Sequence, residues 1–307
     1  MKILVVASYN KGCFSPFVVE QADALKRQGN DLVMMGIRGR SFYGYLRNYS
    51  SLRSKIDEFC PDVIHAHYGL SGLLANMQRR VPVVTTYHGS DINDKKVLPF
   101  SRLTMWLSAW NVFVSRKTME IAKPKRHFSL IPCGIDLSDL QMTTKDEARK
   151  KMGLSAQRHY VLFAGAFDNG VKNAPLAKSA VNEMRYDAEL LELKGYSREE
   201  VTLLMCAVDV LLMTSITEGS PQVIKEALAC GCPIVSVDVG DVSERINGVD
   251  GCYVARTSDP LVLAELLDKT FAFEGKTNGR AKIATDGMDN QLVARKLMDI
   301  YERLLNK

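Results

Sequence analysis

The sequence predicts two α/β domains, each built on a doubly wound parallel sheet. Three observations predict it: a length of 307 residues, short apolar runs alternating with amphipathic stretches, and a second round of that alternation after residue 137. Charged residues at 24% and hydrophobic residues at 46% are ordinary for a folded soluble protein and exclude a disordered chain.

The first apolar run, 2–7 (KILVVA), ends in the loop Ser-Tyr-Asn-Lys-Gly and is followed at 17–27 by helical spacing of Phe17, Ala22 and Leu25. Gly29 stops that helix and 31–36 (DLVMMG) reads as the next buried strand, completing a βαβ unit. Further strands are predicted at 63–66, 81–86, 112–115 and 129–132, with helices around 46–59, 71–79 and 105–110. A Gly134-Ile135-Asp136 turn and the polar stretch 138–149 mark a passage between domains near 137–142. The expected division is therefore 1–137, 138–287 and a closing helix at 288–305, within a C-terminal segment 288–307. In the second domain strands are predicted at 160–164, 189–193, 208–213, 233–237 and 252–255, with helices at 198–207, 221–229 and 260–271. The closing helix is apolar at Leu292, Ala294, Leu297, Ile300, Tyr301 and Leu304, and no strand follows for it to pack on.

The opening MKILVVAS has too short an apolar run for a signal segment or a membrane span, and seven scattered cysteines fit a reducing compartment, so a cytoplasmic protein is expected. Cys230-Gly-Cys232 has no second Cys/His pair at zinc-finger spacing and reads as small apolar fillers at a helix end. Residues 1–136 hold 19 Lys and Arg against 10 Asp and Glu, whereas the remainder hold 21 against 25. The basic half suits an anionic acceptor or peripheral contact with an anionic membrane, although scattered surface lysines read equally as untargeted. Trp106 and Trp110, four apart beside Leu103 and Leu107, read as one face of a helix packed on its own domain, with an interfacial membrane patch as the sharper alternative.

The strongest local signal is Glu218-Gly-Ser-Pro-Gln-Val-Ile-Lys-Glu226, between a strand ending at Met213 and a helix expected to start with Pro221 at its first position. Gly219, Ser220, Pro221 and Gln222 then form a helix N-terminus at the carboxyl end of a parallel strand, where amides and the positive dipole end favour a diphosphate. Glu218 lies ahead of that site and Glu226 about a turn and a half beyond it. His65 and His67 alternate on a strand; two such side chains admit metal ligation, a third ligand is absent, and a structural or acceptor-side role is expected. Nothing forms a G-x-G-x-x-G fingerprint.

Two glutamates eight apart, followed by A-L-A-C-G-C-P-I-V, resemble the E-x7-E motif of family-4 retaining glycosyltransferases. Other segments fall in that family's order: VIHAHYG at 63–69, TTYHGSDI at 85–92, FVS at 113–115, IPCGID at 131–136 and FAGAFDNGVKN at 163–173. The resemblance spans nearly the whole chain and implies the GT-B fold, two Rossmann-like domains facing across a cleft, with the C-terminal helix crossing back to the N-terminal domain. It implies that Glu218 bonds the donor sugar, Glu226 holds the nucleotide ribose, and Lys172 neutralises the donor phosphates. His88 and Asp91 match the family's H-G-x-D segment, with His88 expected to touch the donor sugar, and Gly12 matches a stretch that approaches the phosphates. Where the family offers Arg after the glycine corresponding to Gly165, this chain has Ala166, so half of the cationic clamp is missing there or supplied elsewhere. The expected activity is transfer of a sugar from a nucleotide-diphosphate donor to a glycan or lipid-linked acceptor, with no metal or other cofactor and no nucleic-acid partner. The same fold also admits a nucleotide-sugar epimerase or a non-catalytic nucleotide-sugar-binding protein.

Overall fold

Ile3 through Ala7 of β1 (Lys2–Ser8) are all buried, whichever side they face, as a strand covered on both faces requires. Ile3, Val5 and Ala7 enter one core with Val18, Ala22 and Leu25 of helix Pro16–Arg27, while Leu4 and Val6 enter another with Leu52, Ile56 and Leu74. β1 pairs in parallel with β2 (Asp31–Ile37) and with β3 (Val63–His67), and the sheet continues through β4 (Val83–Tyr87), β5 (Trp110–Phe113) and β6 (Phe128–Leu130) in the order β2-β1-β3-β4-β5-β6. The chain order reverses between β1 and β3, which opens a crevice beyond their carboxyl ends.

The second sheet repeats the plan. β7 (His159–Phe163), β8 (Ala188–Glu192), β9 (Val210–Met213), β10 (Ile234–Val237) and β11 (Tyr253–Ala255) lie in the order β11-β10-β9-β7-β8, all parallel, with the reversal between β7 and β9. The chain divides into two compact units, Met1–Ile135 with Met288–Lys307, and Asp136–Gly287. This computed structural model describes every residue except 40, 139, 141, 274 and 307; two of these, 139 and 141, fall in the predicted passage at 137–142 and lie outside the described residues.

The closing helix, Asn290–Leu305, belongs to the first unit. Val293, Leu297, Ile300 and Tyr301 are buried against the β1 face and helix Pro16–Arg27, each contributing roughly 1.5–3 kcal/mol of burial. Backbone bonds from Ile135 N to Met288 O (2.9 Å) and Asn290 N to Ile135 O (3.0 Å) tie its start to the end of the first unit's main segment. The helix thus finds its apolar partner nearly 300 residues back in the sequence.

Two expectations are corrected, and one stretch gains an element. The helix around 46–59 is two helices, Ser41–Leu46 and Tyr49–Phe59, because the Asn48 amide donates to the carbonyls of Arg38, Gly44 and Tyr45 between them. Past the predicted passage, within the polar stretch 138–149, Thr144 and Glu147 form a reciprocal capping box that starts helix Lys145–Met152. Trp110 does not share a helix with Trp106. Helix Leu98–Leu107 ends at extended Ser108, and Trp110 opens β5, where its indole N–H donates to Ser129 Oγ at 3.0 Å. Among the described residues no helix is long and apolar enough to cross a membrane.

Candidate active site

In the second unit, the loops leaving β7 and β9 converge beside the sheet's reversal point. β7 runs into Gly165, where a Cβ would stand 2.6 Å from Lys172 Cγ, so the absence of a side chain is what lets the lysine stem lie across the strand end. Lys172 closes the short turn Gly170–Lys172, and Asn173 follows with φ +56° before helix Ala174–Asn182. Thr214, just past β9, shares its hydroxyl proton between Lys172 O (2.9 Å) and Asn173 O (3.0 Å), and Ile216 N donates to Val171 O at 2.9 Å. The lysine loop is therefore fastened to the β9 end at several points. Lys172 Nζ donates to Glu218 Oε1 at 2.7 Å, with 22% and 19% of the two side chains exposed. That pair is sheltered enough to be strong and open enough to be exchanged for a ligand.

The helix after this loop starts one residue later than expected, as Gln222–Cys230, with Pro221 as its cap at φ −68° and ψ 124°. Proline's fixed φ suits either position, and the extended ψ decides between them. Pro221 has no side-chain group to cap this helix and no acidic residue sits in its first turn. Gly219 and Ser220 are backed by the loop after β10: Gly240 (φ +59°) approaches so closely that a Cβ would meet Gly219 O at 2.8 Å. Ser220 Oγ donates to Asp241 Oδ2 at 2.8 Å, and Arg245 Nε donates to the same oxygen at 2.9 Å. Asp241 Oδ1 and Ser215 Oγ are buried without a hydrogen-bond partner. Such atoms call for a donor or a ligand.

Glu226 lies in the second helical turn, 3.6 Å from Arg198. Burial raises its carboxyl pKa, with Arg198 and Lys225 opposing the shift. Lys225 is fully buried and donates to Gln222 Oε1 at 2.8 Å, fixing the first turn. Sequence reasoning missed Thr214, Asp241 and Arg245. Gly240-Asp241 directly after a strand was the available signal for the last two, and no local signal marks Thr214.

In the first unit, the loop after β4 carries His88 and Asp91. The Asp91 carboxylate accepts three backbone N–H bonds, from Gly69, His88 and Gly89, each 3.0 Å. Burial nevertheless pushes its pKa up to about 6. Its oxygens shape the His88 turn. His88 Nε2 lies 3.0 Å from His67 Nδ1, and Cys133 Sγ lies 3.6 Å from His88 Nδ1. The His88 ring sits 4.6 Å from Phe17 and 4.7 Å from Tyr68, centroid to centroid.

His67 stacks on His65, which bonds Thr86 Oγ1 at 2.7 Å through one ring nitrogen and the Tyr301 hydroxyl at 2.5 Å through the other. Burial pulls His65 down to about 3, and burial together with its histidine neighbours pulls His67 well below the usual range, so both rings are neutral. Among the described residues no group of three or more His, Cys, Asp or Glu side chains is placed to hold a metal. Gly12 lies in the exposed loop after β1 with φ +76°. A pocket of about 460 Å³ opens at this end of the sheet, lined by Lys11, Ser15, Tyr45, Tyr68, Ser90 and Asp91 among others.

The profile described as Glycosyltransferase Family 4 matches residues 17–139, and that described as Glycosyl transferases group 1 matches residues 156–271. A putative teichuronic acid biosynthesis glycosyltransferase, TuaC of Bacillus subtilis, is 28% identical over 212 residues, covering 60% of this chain and 54% of that protein, so the match spans about half of the relative's length. The amylovoran biosynthesis glycosyltransferase AmsK of Erwinia amylovora is 23% identical over 291 residues, covering 80% of this chain and 71% of its own. Among solved structures, a sucrose-phosphate synthase from Thermosynechococcus elongatus superposes with a TM-score of 0.87 at 16% identity, covering 100% of this chain and 99% of that one. Anabaena HepE, solved in complex with UDP, gives 0.78 at 15% identity, covering 99% and 100%.

Proposed function

The chain belongs to glycosyltransferase family 4 and has the GT-B fold, and from that premise we propose that it transfers a sugar, with retention of configuration, from a nucleotide-diphosphate donor to a glycan or lipid-linked acceptor. Synthesis of a cell-surface polysaccharide is the proposed setting, supported by the names of TuaC and AmsK. The observation that carries the reading is the Lys172–Glu218 pair beside the start of helix Gln222–Cys230, at the reversal point of a parallel sheet.

Donor binding would break that pair. The diphosphate takes over the Lys172 ammonium and the helix amides, and Glu218, released, accepts hydrogen bonds from the sugar hydroxyls. Glu226 takes the ribose hydroxyls, and its raised pKa reflects a carboxylate kept out of water until they arrive. Donors on the ligand would also satisfy Ser215 Oγ and Asp241 Oδ1. That Anabaena HepE has been solved with UDP-glucose supports a donor of this class.

In the transfer step the acceptor hydroxyl oxygen forms the new bond to the anomeric carbon while the bond to the diphosphate oxygen breaks. The hydroxyl proton passes to the departing diphosphate on the same face of the sugar. Lys172 and the helix end stabilise the charge that develops on the leaving group, and His88, held by Asp91's turn and by His67, is the histidine that the family resemblance assigns to the donor sugar. In this reading cation and dipole carry the counter-charge and no metal is called for. Seven cysteines, five of them buried and none in a disulfide among the described residues, support a reducing, cytoplasmic setting.

A thermal-shift screen of nucleotide diphosphates and their sugars tests the donor site. A ligand at 100 times its Kd adds about 2.7 kcal/mol of stability. The matching nucleotide should raise the Tm of the native protein and not of Lys172→Ala, and Lys172→Ala and Glu218→Ala should each lose most transfer while staying folded. Unchanged turnover in both variants overturns the assignment; sugar epimerised in the absence of acceptor would replace transfer by epimerisation.

A further inference from the structure

Cys230-Gly-Cys232, which reads in the sequence as filler at a helix end, meets a third thiol in the fold. Helix Arg198–Ala207 packs against helix Gln222–Cys230. Cys206 stands one residue before the end of the first, and Cys230 is the last residue of the second. Both line a cavity of about 410 Å³ together with Cys232, Lys145, Asp209 and Lys276. The cavity opens at the amino-terminal ends of β9 and β10, whereas the Glu218 loop and Gly240 follow the carboxyl ends of those strands, so it is separate from the candidate active site.

The three thiols are not equivalent. Gly231, at φ +68°, turns the chain out of the helix, and Cys232 Sγ donates to Pro233 O at 3.4 Å. Burial pushes the Cys232 thiol far up, and that of Cys252 up to about 12. Cys206 moves the other way: a hydrogen bond from the Cys230 thiol draws it down, and the Thr143 amide and the Lys276 ammonium act in the same direction against burial. The same bond, with burial, raises Cys230. The first proton of the pair therefore leaves Cys206, and the second stays on Cys230. Lys276 is held at the cavity by a 3.3 Å bond from its Nζ to Thr143 O. Among the described residues no three metal-ligating side chains converge here, so the chemistry open to the pair is that of sulfur.

We propose that Cys206 and Cys230 form a dithiol site that reacts with a low-molecular-weight disulfide of the glutathione class and closes into an internal disulfide. The Cys206 thiolate attacks one sulfur of the small disulfide; that S–S bond breaks, and the departing half leaves as a thiolate that takes up a proton. Cys230 then gives up its proton, and its sulfur attacks that of Cys206 and expels the second half as a thiol. Two protein thiols are oxidised and one small disulfide becomes two thiols. In a reducing compartment such a bond is transient, formed when small disulfides accumulate and reversed when they do not. The site stands without the transfer reaction, and one consequence alone rests on that reading. Arg198 of the first helix lies 3.6 Å from Glu226 of the second, so the helices that the disulfide would join also carry the carboxylate assigned to the ribose. A disulfide fixes its sulfurs at about 2.05 Å, closer than two hydrogen-bonded thiols, and draws the helix ends together. Nucleotide should then bind the oxidised chain about tenfold more weakly, as on losing one hydrogen bond to a charged group.

The test is a tryptic peptide map of the folded full chain after incubation with oxidised glutathione, against the same chain kept in dithiothreitol. Lys225 lies between the two cysteines, so Cys206 falls in the peptide 199–225 and Cys230 in the peptide 226–245. The native protein should yield these two peptides linked, two hydrogens lighter than their sum, and dithiothreitol should release them. Cys232→Ser should link equally. Cys230→Ser should stop at the mixed disulfide, with one glutathione kept on Cys206, and Cys206→Ser should take up none on Cys230. The proposal is overturned by any of these results: no linked peptide from the folded chain, linkage in denaturant only, linkage lost in Cys232→Ser, or glutathione on Cys230 in Cys206→Ser. Should a serine variant fail to fold, the linked peptide from the native chain and its release by dithiothreitol decide. Titration of both forms with UDP, GDP and ADP keeps this outcome distinct from the fate of the donor site. A nucleotide held about tenfold more weakly by the linked chain supports the consequence, and equal affinity removes it. Nucleotide bound by neither form ends the donor reading and leaves the disulfide standing.

Discussion

Acidification from pH 7 to pH 5 should destabilise the first unit, and His65 should carry much of the effect. Its ring is enclosed by His67, Thr86 and Tyr301, and burial lowers its pKa from 6.5 to about 3. Because the folded pKa lies below the unfolded one, the unfolded chain takes up a proton between pH 6.5 and 3 that the folded chain refuses, so stability falls with pH across that window. At pH 5 the loss from His65 alone is about 2 kcal/mol, one and a half pKa units at 1.36 kcal/mol each. His67, shifted in the same direction, adds to it. Asp91 opposes: its folded pKa of about 6 lies above 3.8, so the folded protein gains a proton on the way down and recovers roughly 1 kcal/mol. The net is a loss. Urea unfolding followed by tryptophan emission reads this unit selectively, because both tryptophans lie in it. Comparing native protein with His65→Gln at the two pH values isolates the histidine: the variant should lose about 2 kcal/mol of pH dependence whatever its own stability. A native protein as stable at pH 5 as at pH 7, or a His65→Gln variant with the same pH slope as the native chain, refutes the reasoning.

Two further outcomes follow from the second unit. Gly165→Ala places a methyl 2.6 Å from Lys172 Cγ, so the lysine stem must leave the strand end. Nucleotide affinity should fall about 10- to 100-fold, the worth of one hydrogen bond to a charged group, with little change in Tm, and unchanged affinity in a titration would show that Lys172 does not hold the phosphates. Arg245→Met removes the buried partner of Asp241, 2.9 Å away, and should cost about 3–5 kcal/mol in denaturant unfolding. Adding Asp241→Asn should restore part of that loss, since the stranded charge is then gone; no recovery in the double variant would mean that Arg245 matters through packing instead.

The strands were legible because period and apolar content are local properties. Most predicted strands fall within a residue or two of their observed bounds, and Arg198–Ala207 and Pro260–Phe271 are helices over the stretches expected. Errors fell where a side chain distant in the helix or strand pattern intervened. Asn48 interrupts one helix, and β5 takes Trp110 because Val84 pairs with it. The helix expected at 105–110 runs instead over Leu98–Leu107, with its proline in the first turn, and ends before Trp110 because β5 claims that residue.

The site divides in the same way. Glu218 through Glu226 was readable as a unit, since a strand, a short loop and a proline-led helix are contiguous in the chain. The Lys172–Glu218 bond joins residues 46 apart, Ser220 meets Asp241 across 21, and His65 meets Tyr301 across 236. No pattern in one dimension announces these partners, because the order β11-β10-β9-β7-β8 sets β9 beside β7 and not beside β8. Local sequence therefore determined which segments become strands and helices and where a helix starts just past the carboxyl end of a strand. Strand order, and the burial it imposes, decided which charges meet there, because hydrogen bonds and desolvation depend on distances through space that chain separation does not fix.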